Sequence, residues 1–155
     1  MARIEKGELR VQAIKNGSVI DHIPVDQLQK VVHLLGLFDF PYPFTIGQNY
    51  LSKKLGRKGI IKVEEKHFTH EEVNRLALVS TEVVISVIRD YEVVEKIKVT
   101  LPDQVKGLVK CTNPKCISNN EPMQGLYHVT DKAKGTLKCH YCNRKIEREE
   151  IIISE

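Results

Sequence analysis

The four cysteines of this chain fall in its last third as two close pairs, Cys111-x4-Cys116 and Cys139-x2-Cys142. Brought together by a hairpin-like fold, two such pairs supply the four thiolates that Zn²⁺ takes in a tetrahedral structural site. Four bound sulfurs leave the ion no open position, so the pattern predicts a metal that holds structure and argues against metal catalysis. Two disulfides are the alternative reading. They need an oxidising compartment, usually reached through a signal peptide, and Met1-Ala2-Arg3-Ile4-Glu5-Lys6 has no apolar core to serve as one. No later run approaches the roughly 18 apolar residues of a membrane span. The expectation is therefore a cytoplasmic chain with reduced thiols, away from membranes. One structural zinc ion would be held by Cys111, Cys116, Cys139 and Cys142, with His140 a surface residue of the knuckle.

Other chemistry is scarce. With the thiols committed, the chain has no G-x-S-x-G elbow, no H-E-x-x-H and no G-x-x-x-x-G-K-[ST] loop. Asp21-His22 is the one tempting catalytic pair, but adjacent strand residues point to opposite faces and do not easily act as base and orienter. Binding suits these residues better: Asp21 can accept from sugar hydroxyls and His22 can face a phosphate oxygen. Lys62 and Lys96 lie in or beside strands, unlike most of the lysines, although solvated surface positions are the plain alternative. Lys53-Lys54-Leu55-Gly56-Arg57-Lys58 reads as a charged hairpin loop.

Charge narrows the partners. The chain carries a formal +4. Residues 101–155 hold nine Lys/Arg against seven Asp/Glu, and four thiolates with one Zn²⁺ bring that segment to about neutral. Such a unit lacks the positive field that phosphate backbones demand, so no nucleic-acid partner is expected.

The elements that must position these residues form two units. Apolar residues alternate along 9–16 as in a half-buried strand. Asn16-Gly17 turns into a second extended stretch, Val19 to Pro24. Val25, Leu28, Val32 and Leu35 recur at helical spacing, and Gly36 marks the stop. Phe44-Thr45-Ile46 and Ile60 to Val63 read as strands around a polar loop. Thr69-His70-Glu71-Glu72 is a capping box opening a second helix through Val73, Leu76 and Ala77. Val83 to Ile88 and Tyr91 to Val99 are extended. This βαββαβ-like order predicts an α+β fold, a ferredoxin-like split-βαβ sandwich whose antiparallel sheet carries two helices on one face. Leu101-Pro102-Asp103 breaks the pattern and reads as a hinge. The division is thus 1–100 and 101–155, the second a small all-β zinc-binding domain. Extended stretches at Leu126–Thr130, Thr136–Lys138 and Glu147–Ile153 would be pinned by the metal, because so small a unit is marginal on its core alone.

The string Leu9-x-Val11-x-Ala13-Ile14-Lys15-x-Gly17-x-Val19-Ile20-Asp21-His22-Ile23-Pro24 closely resembles the opening of the aspartate carbamoyltransferase regulatory chain family. The likeness runs on through Thr45-Ile46-Gly47, Gly56-Arg57-Lys58-x-x-Ile61-Lys62 and Tyr91-Glu92-Val93-Val94. It ends in Cys111-x4-Cys116-Ile117-Ser118, Glu121-Pro122 and Leu137-Lys138-Cys139-x-Tyr141-Cys142. The resemblance implies a non-catalytic, allosteric subunit serving pyrimidine biosynthesis. Its N-terminal domain would bind nucleotide effectors, CTP and ATP with UTP a further candidate, and pair with a second regulatory chain. Its zinc domain would dock on the catalytic chain, in that family an assembly of six catalytic and six regulatory chains.

By position, the resemblance implies that backbone groups around Ile14, Tyr91 and Val93 read the base. Val11, Ala13 and Val19 would line the pocket, Asp21 and Lys62 would meet the ribose, and His22 and Lys96 the triphosphate. Ser86 stands where the family carries a phosphate-contacting asparagine, Gln12 replaces an acidic residue, and Lys115 replaces a small amide in the Cys111–Cys116 loop. Two competing readings are a free-standing nucleotide sensor, which would need no catalytic chain, and a zinc-ribbon nucleic-acid binder, which would need a basic surface.

Overall fold

A computed structural model describes residues 14–154 of the chain. The strand expected over 9–16 lies mostly outside the described residues, as do Val11, Gln12 and Ala13. Its described end, residues 14–16, is a bend and not a strand. Gly17 follows at φ +148°, where a Cβ would run into the Val63 carbonyl. Only glycine fits so close to the neighbouring strand.

Among the described residues, five antiparallel strands form the N-terminal sheet: β1 (Gly17–Pro24), β2 (Phe44–Ser52), β3 (Gly56–Glu64), β4 (Val84–Arg89) and β5 (Glu92–Lys98). Their order is β2-β3-β1-β4-β5. With a helix after β1 and another after β3, the first four strands follow the split-βαβ plan, and β5 extends it at the β4 edge. Helix α1 (Leu28–Leu34) is preceded by a 3-10 turn over Val25–Gln27 and stopped by Gly36 in the left-handed region at φ +63°. Helix α2 (His70–Arg75) opens on the predicted capping box. The Glu72 N–H donates to the Thr69 hydroxyl at 3.2 Å and the Thr69 N–H to the Glu72 carboxylate at 3.0 Å. Alternation along the strands sends Ile20, Ile61 and Ile85 into one core with Val31, Val73 and Leu76 of the helical segments, all essentially without exposure. Each such burial contributes about 1.5–3 kcal/mol.

The β2–β3 hairpin is longer than the sequence indicates. The strands read at Phe44–Ile46 and Ile60–Val63 are the inner ends of nine-residue strands. The charged segment 53–58 is a turn only over Lys53–Leu55, since Gly56, Arg57 and Lys58 belong to β3. No residue of β2 is buried, so this edge strand leaves no apolar alternation to read.

The second unit has two small sheets. Strands β6 (Gln104–Lys106), β8 (Leu126–Asp131), β9 (Thr136–Cys139) and β10 (Lys145–Ile146) lie in the order β10-β9-β8-β6. Strands β7 (Val109–Lys110) and β11 (Ile152–Ile153) pair separately. One helical turn, α3 (Ile117–Asn120), follows Cys116. The strand expected over Glu147–Ile153 shrinks to β11. Glu147 and Glu150 close a capping box that folds Arg148–Glu150 into a 3-10 turn.

The two units share one core, which runs through Leu101 into Val105, Val109 and Tyr127. Arg148 ties them further: its Nη2 donates to the Ala77 carbonyl at 2.9 Å and its Nη1 to the Ala133 carbonyl at 3.3 Å. Ala77 lies in the 3-10 turn that ends the α2 segment, where carbonyls carry partial negative charge. Gly135 makes room for this guanidinium: a Cβ there would overlap it, and its φ of +72° suits glycine. Arg148→Ala is expected to destabilise the chain by about 1–3 kcal/mol, the loss of hydrogen bonds from a charged donor. Urea unfolding of the metal-loaded chain checks this, and an unchanged midpoint would contradict it.

Candidate functional site

Cys111 follows β7, Cys116 ends the loop before α3, Cys139 ends β9, and Cys142 closes the knuckle beyond it. Their sulfurs converge within 4.8 Å of one another. Cys111 Sγ lies 3.7 Å from Cys142 Sγ, and Cys116 Sγ lies 3.6 Å from Cys139 Sγ. Four sulfurs around Zn²⁺ at about 2.3 Å stand roughly 3.75 Å apart, so the set fits one tetrahedral zinc ion. All four cysteines are free, with no disulfide between them.

The cage is braced by groups whose spacing carries no recognisable signal. The Asn119 amide donates at 2.8 Å to the carbonyls of Cys111 and Asn113, and Asn120 donates to those of Pro114 and Cys116. Ser118 Oγ sits 3.1 Å from Cys116 Sγ. Asn143 takes φ +63° at the second knuckle. Behind the cage the buried Tyr127 hydroxyl donates to the Val109 carbonyl at 2.9 Å. Burial and the surrounding cysteine sulfurs raise its pKa, so it stays a neutral donor. His140 is exposed and outside the sulfur cluster, as expected.

Burial pushes the Cys111 thiol up to about 12 and raises Cys139 as well. For Cys142 burial also acts upward, but the Arg144 N–H and other hydrogen bonds outweigh it and bring the thiol to about 7.

The other predicted residues spread over one face of the N-terminal sheet. The register pairs Lys62 with Val19, Val19 with Ser86, and Ser86 with Lys96. These four form a row across β3, β1, β4 and β5, on the face opposite the helices because Ile20, Ile61 and Ile85 point into the core. One step along the strands, Gly17 pairs with Ile88 and Ile88 with Val93, with buried Ile14 packed against Gly17. That end is apolar, and exposed Tyr91 sits beside it at φ +67°. The Tyr91 N–H is taken by the Lys15 carbonyl at 2.9 Å.

At the opposite end Asp21 forms an ion pair with Lys58 at 3.0 Å. The sequence assigned Lys58 to a loop and so missed this partner. The register slips between Ile20 and Ile23, and His22 takes φ +59° there. Simple strand alternation therefore does not govern Asp21-His22. The His22 ring stands 4.0 Å from the carboxylate, beyond hydrogen-bond reach, while its backbone N–H donates to Asp21 Oδ1 at 2.6 Å. Asp21 and His22 remain a poor catalytic pair, for a different reason.

Fold and site together define a two-part chain, an α/β sandwich joined to a structural metal domain in which every thiol is committed to the cage. Family models match both parts: the allosteric domain of the aspartate carbamoyltransferase regulatory chain over residues 9–100, and its metal binding domain over 103–152. The chain is 56% identical over 153 residues to the aspartate carbamoyltransferase regulatory chain of Parabacteroides distasonis, covering 99% of both. It is 55% identical over 148 residues to that of Bacteroides fragilis, covering 96% of this chain and 97% of the relative. With that of Pyrococcus furiosus it shares 46% over 147 residues, covering 94% and 97%. The chain belongs to the aspartate carbamoyltransferase regulatory chain family, and is a regulatory rather than a catalytic subunit.

Zinc uptake must strip the protons that burial holds on Cys111 and Cys139, and below about pH 7 also the proton of Cys142. Protons thus compete with the ion, and metal-derived stability is lost as pH falls. Apparent zinc affinity is expected to rise with pH from 6 to 8.5, more steeply below 7 than above. Competition with a chromophoric chelator measures the slope, and a flat profile would exclude the thiolate cage.

Proposed function

We propose that the 1–100 unit binds a nucleoside triphosphate of the CTP or ATP type on its open sheet face, and that the 101–155 unit docks on an aspartate carbamoyltransferase catalytic chain. The chain would act in the cytoplasm, in pyrimidine biosynthesis, paired with a second copy of itself. The observation that carries this reading is the row Lys62–Val19–Ser86–Lys96, which sets two cations about a small platform. An apolar end at Ile14, Ile88 and Val93 suits a base, and a polar end at Asp21 and His22 suits sugar and phosphate. Among the described residues no helix is long and apolar enough to cross a membrane.

Cytosine and adenine each set an exocyclic amine beside a ring acceptor, so backbone amides and carbonyls near Ile14, Tyr91 and Val93 can accept either. Purine and pyrimidine differ in size, and that difference would press unequally on the strands. Charge-assisted bonds from Lys96, Lys62 and His22 would supply most of the affinity. Val11 and Ala13 would complete the pocket lining. Docking through the metal unit is supported by its near-neutral charge and by exposed Ile117, Met123 and Tyr141 around the knuckles. The signal would cross the packed junction at Leu101 and Arg148, with a coupling of about 1–3 kcal/mol.

The test is co-expression with the catalytic chain of the same organism, followed by purification and assay with CTP and ATP. A stable complex whose activity responds to nucleotide is expected. A chain that binds nucleotide but forms no complex would point instead to a free-standing sensor. Lys96→Ala should weaken nucleotide binding about tenfold or more, the worth of one charged hydrogen bond. Ser86→Asn, with its longer reach, should tighten it. Calorimetric titration of both variants checks these outcomes, and unchanged affinities would remove the row from the site.

A further inference from the structure

We propose that the cleft between the two units is a binding site for a small organic anion, a single carboxylate carried on an apolar body. The site uses no residue of the sulfur cage or of the open sheet face, and it does not depend on the nucleotide reading.

The cleft has a volume of about 430 Å³. Small-ligand pockets span roughly 300–1,000 Å³ and favour junctions between units. One wall is α2 with the 3-10 turn Leu76–Leu78 that follows it, on the helix side of the N-terminal sheet. The other wall is β6 and Leu108, just before β7. Leu78 and Val105 are buried members of the shared core, and half-buried Leu108 packs against that core. The apolar lining is therefore held by the packing that joins the units, and is formed before any ligand arrives.

The polar groups around this lining are mostly donors. Lys106 has no ion pair and no side-chain hydrogen bond among the described residues. Arg75 meets Glu71 at 3.6 Å, beyond hydrogen-bond reach. The Glu71 side chain is 84% exposed, so that pair contributes little and yields to a better-placed anion. Asn74 Oδ1 accepts from the Thr100 N–H at 3.3 Å and from the Thr100 hydroxyl at 3.4 Å. A backbone N–H can only donate, so the oxygen must face it. The Asn74 Nδ2 is left as a donor without a partner among the described residues.

Two cations and an amide donor around an apolar lining complement one carboxylate on an apolar body. A polyphosphate would bring more charge than the two cations offset, while an uncharged ligand would cover the donors without bonding them. One wall belongs to each unit, so a shift of one unit against the other resizes the cleft. An occupant would then favour the arrangement that closes on it, and could bias any signal passing between the units.

The test titrates the full zinc-loaded chain with 2-naphthoate and follows side-chain methyl resonances, which the naphthalene ring current shifts. Saturable one-site binding is expected, with the methyls of Leu78, Val105 and Leu108 moving most. The uncharged 2-naphthamide should bind at least about tenfold more weakly, the loss of a charged hydrogen bond. Arg75→Gln and Lys106→Gln, both changes at the cleft rim, should each weaken 2-naphthoate about threefold or more. Lys96→Ala should leave it unchanged, so failure of the nucleotide face would not disturb this result. Methyls that do not move, equal affinity for acid and amide, or unchanged affinity in both rim variants would each overturn the proposal. So would shifts centred on Ile14 and Val93 that Lys96→Ala abolishes.

Discussion

Closure of the sulfur cage is the constraint on which the second unit depends. About fifty residues bury too little apolar surface to fold by hydrophobic effect alone. Its strands are two to six residues long, and Tyr127, Leu137 and Ile146 supply only a small core. Joining Cys111 and Cys116 to Cys139 and Cys142 fixes the loop after β7 against the end of β9. The asparagines that brace the cage then satisfy backbone carbonyls which a loop so tightly wound would otherwise leave without partners. Metal, loop and sheet are one cooperative object.

The N-terminal sheet solves a different problem. Its central strand β1 must bury Ile20 and Ile23 against the helices while presenting Val19 and Asp21 on the other side. A regular strand would turn Ile23 to the same side as Val19 and Asp21, and the bulge at His22 returns it to the core. A histidine at positive φ is costly, of order 1–3 kcal/mol, and persists only where its surroundings over-determine it. Here the short bond from its own N–H to Asp21, and the anchoring of Asp21 by Lys58, hold the bulge in place. The polar end of the open face is thereby built by backbone distortion, whereas the middle row is built by simple register.

Sequence reading reached these features unequally, for physical reasons. The cysteine pairs, the Thr69–Glu72 box and the Gly36 stop are local devices whose chemistry is written in a few adjacent residues, and they stand where spacing puts them. The row Lys62–Val19–Ser86–Lys96 depends on three strand pairings, so no single segment reveals it; resemblance to a family supplied the residues and the register explained why they share a face. The outer half of the β2–β3 hairpin was illegible because it packs on nothing. The bulge at His22 was illegible because histidine, though enriched at positive φ, takes it too rarely for one residue to mark a bulge. The hydrogen bond between the His128 and His140 rings, 2.9 Å from Nε2 to Nδ1, arises from a hairpin closure between residues twelve apart, which spacing alone does not disclose.

Gly135 and Arg148 together have a consequence for how this chain can vary. The guanidinium occupies the space a side chain at 135 would need, so the two positions are not independent letters. A substitution at 135 is tolerable only in a chain that has already given up the arginine, and an arginine gained at 148 is useful only opposite glycine. Among relatives the two should change together or not at all. The pair would then serve as a marker of which members join their two halves by this contact and which have found another.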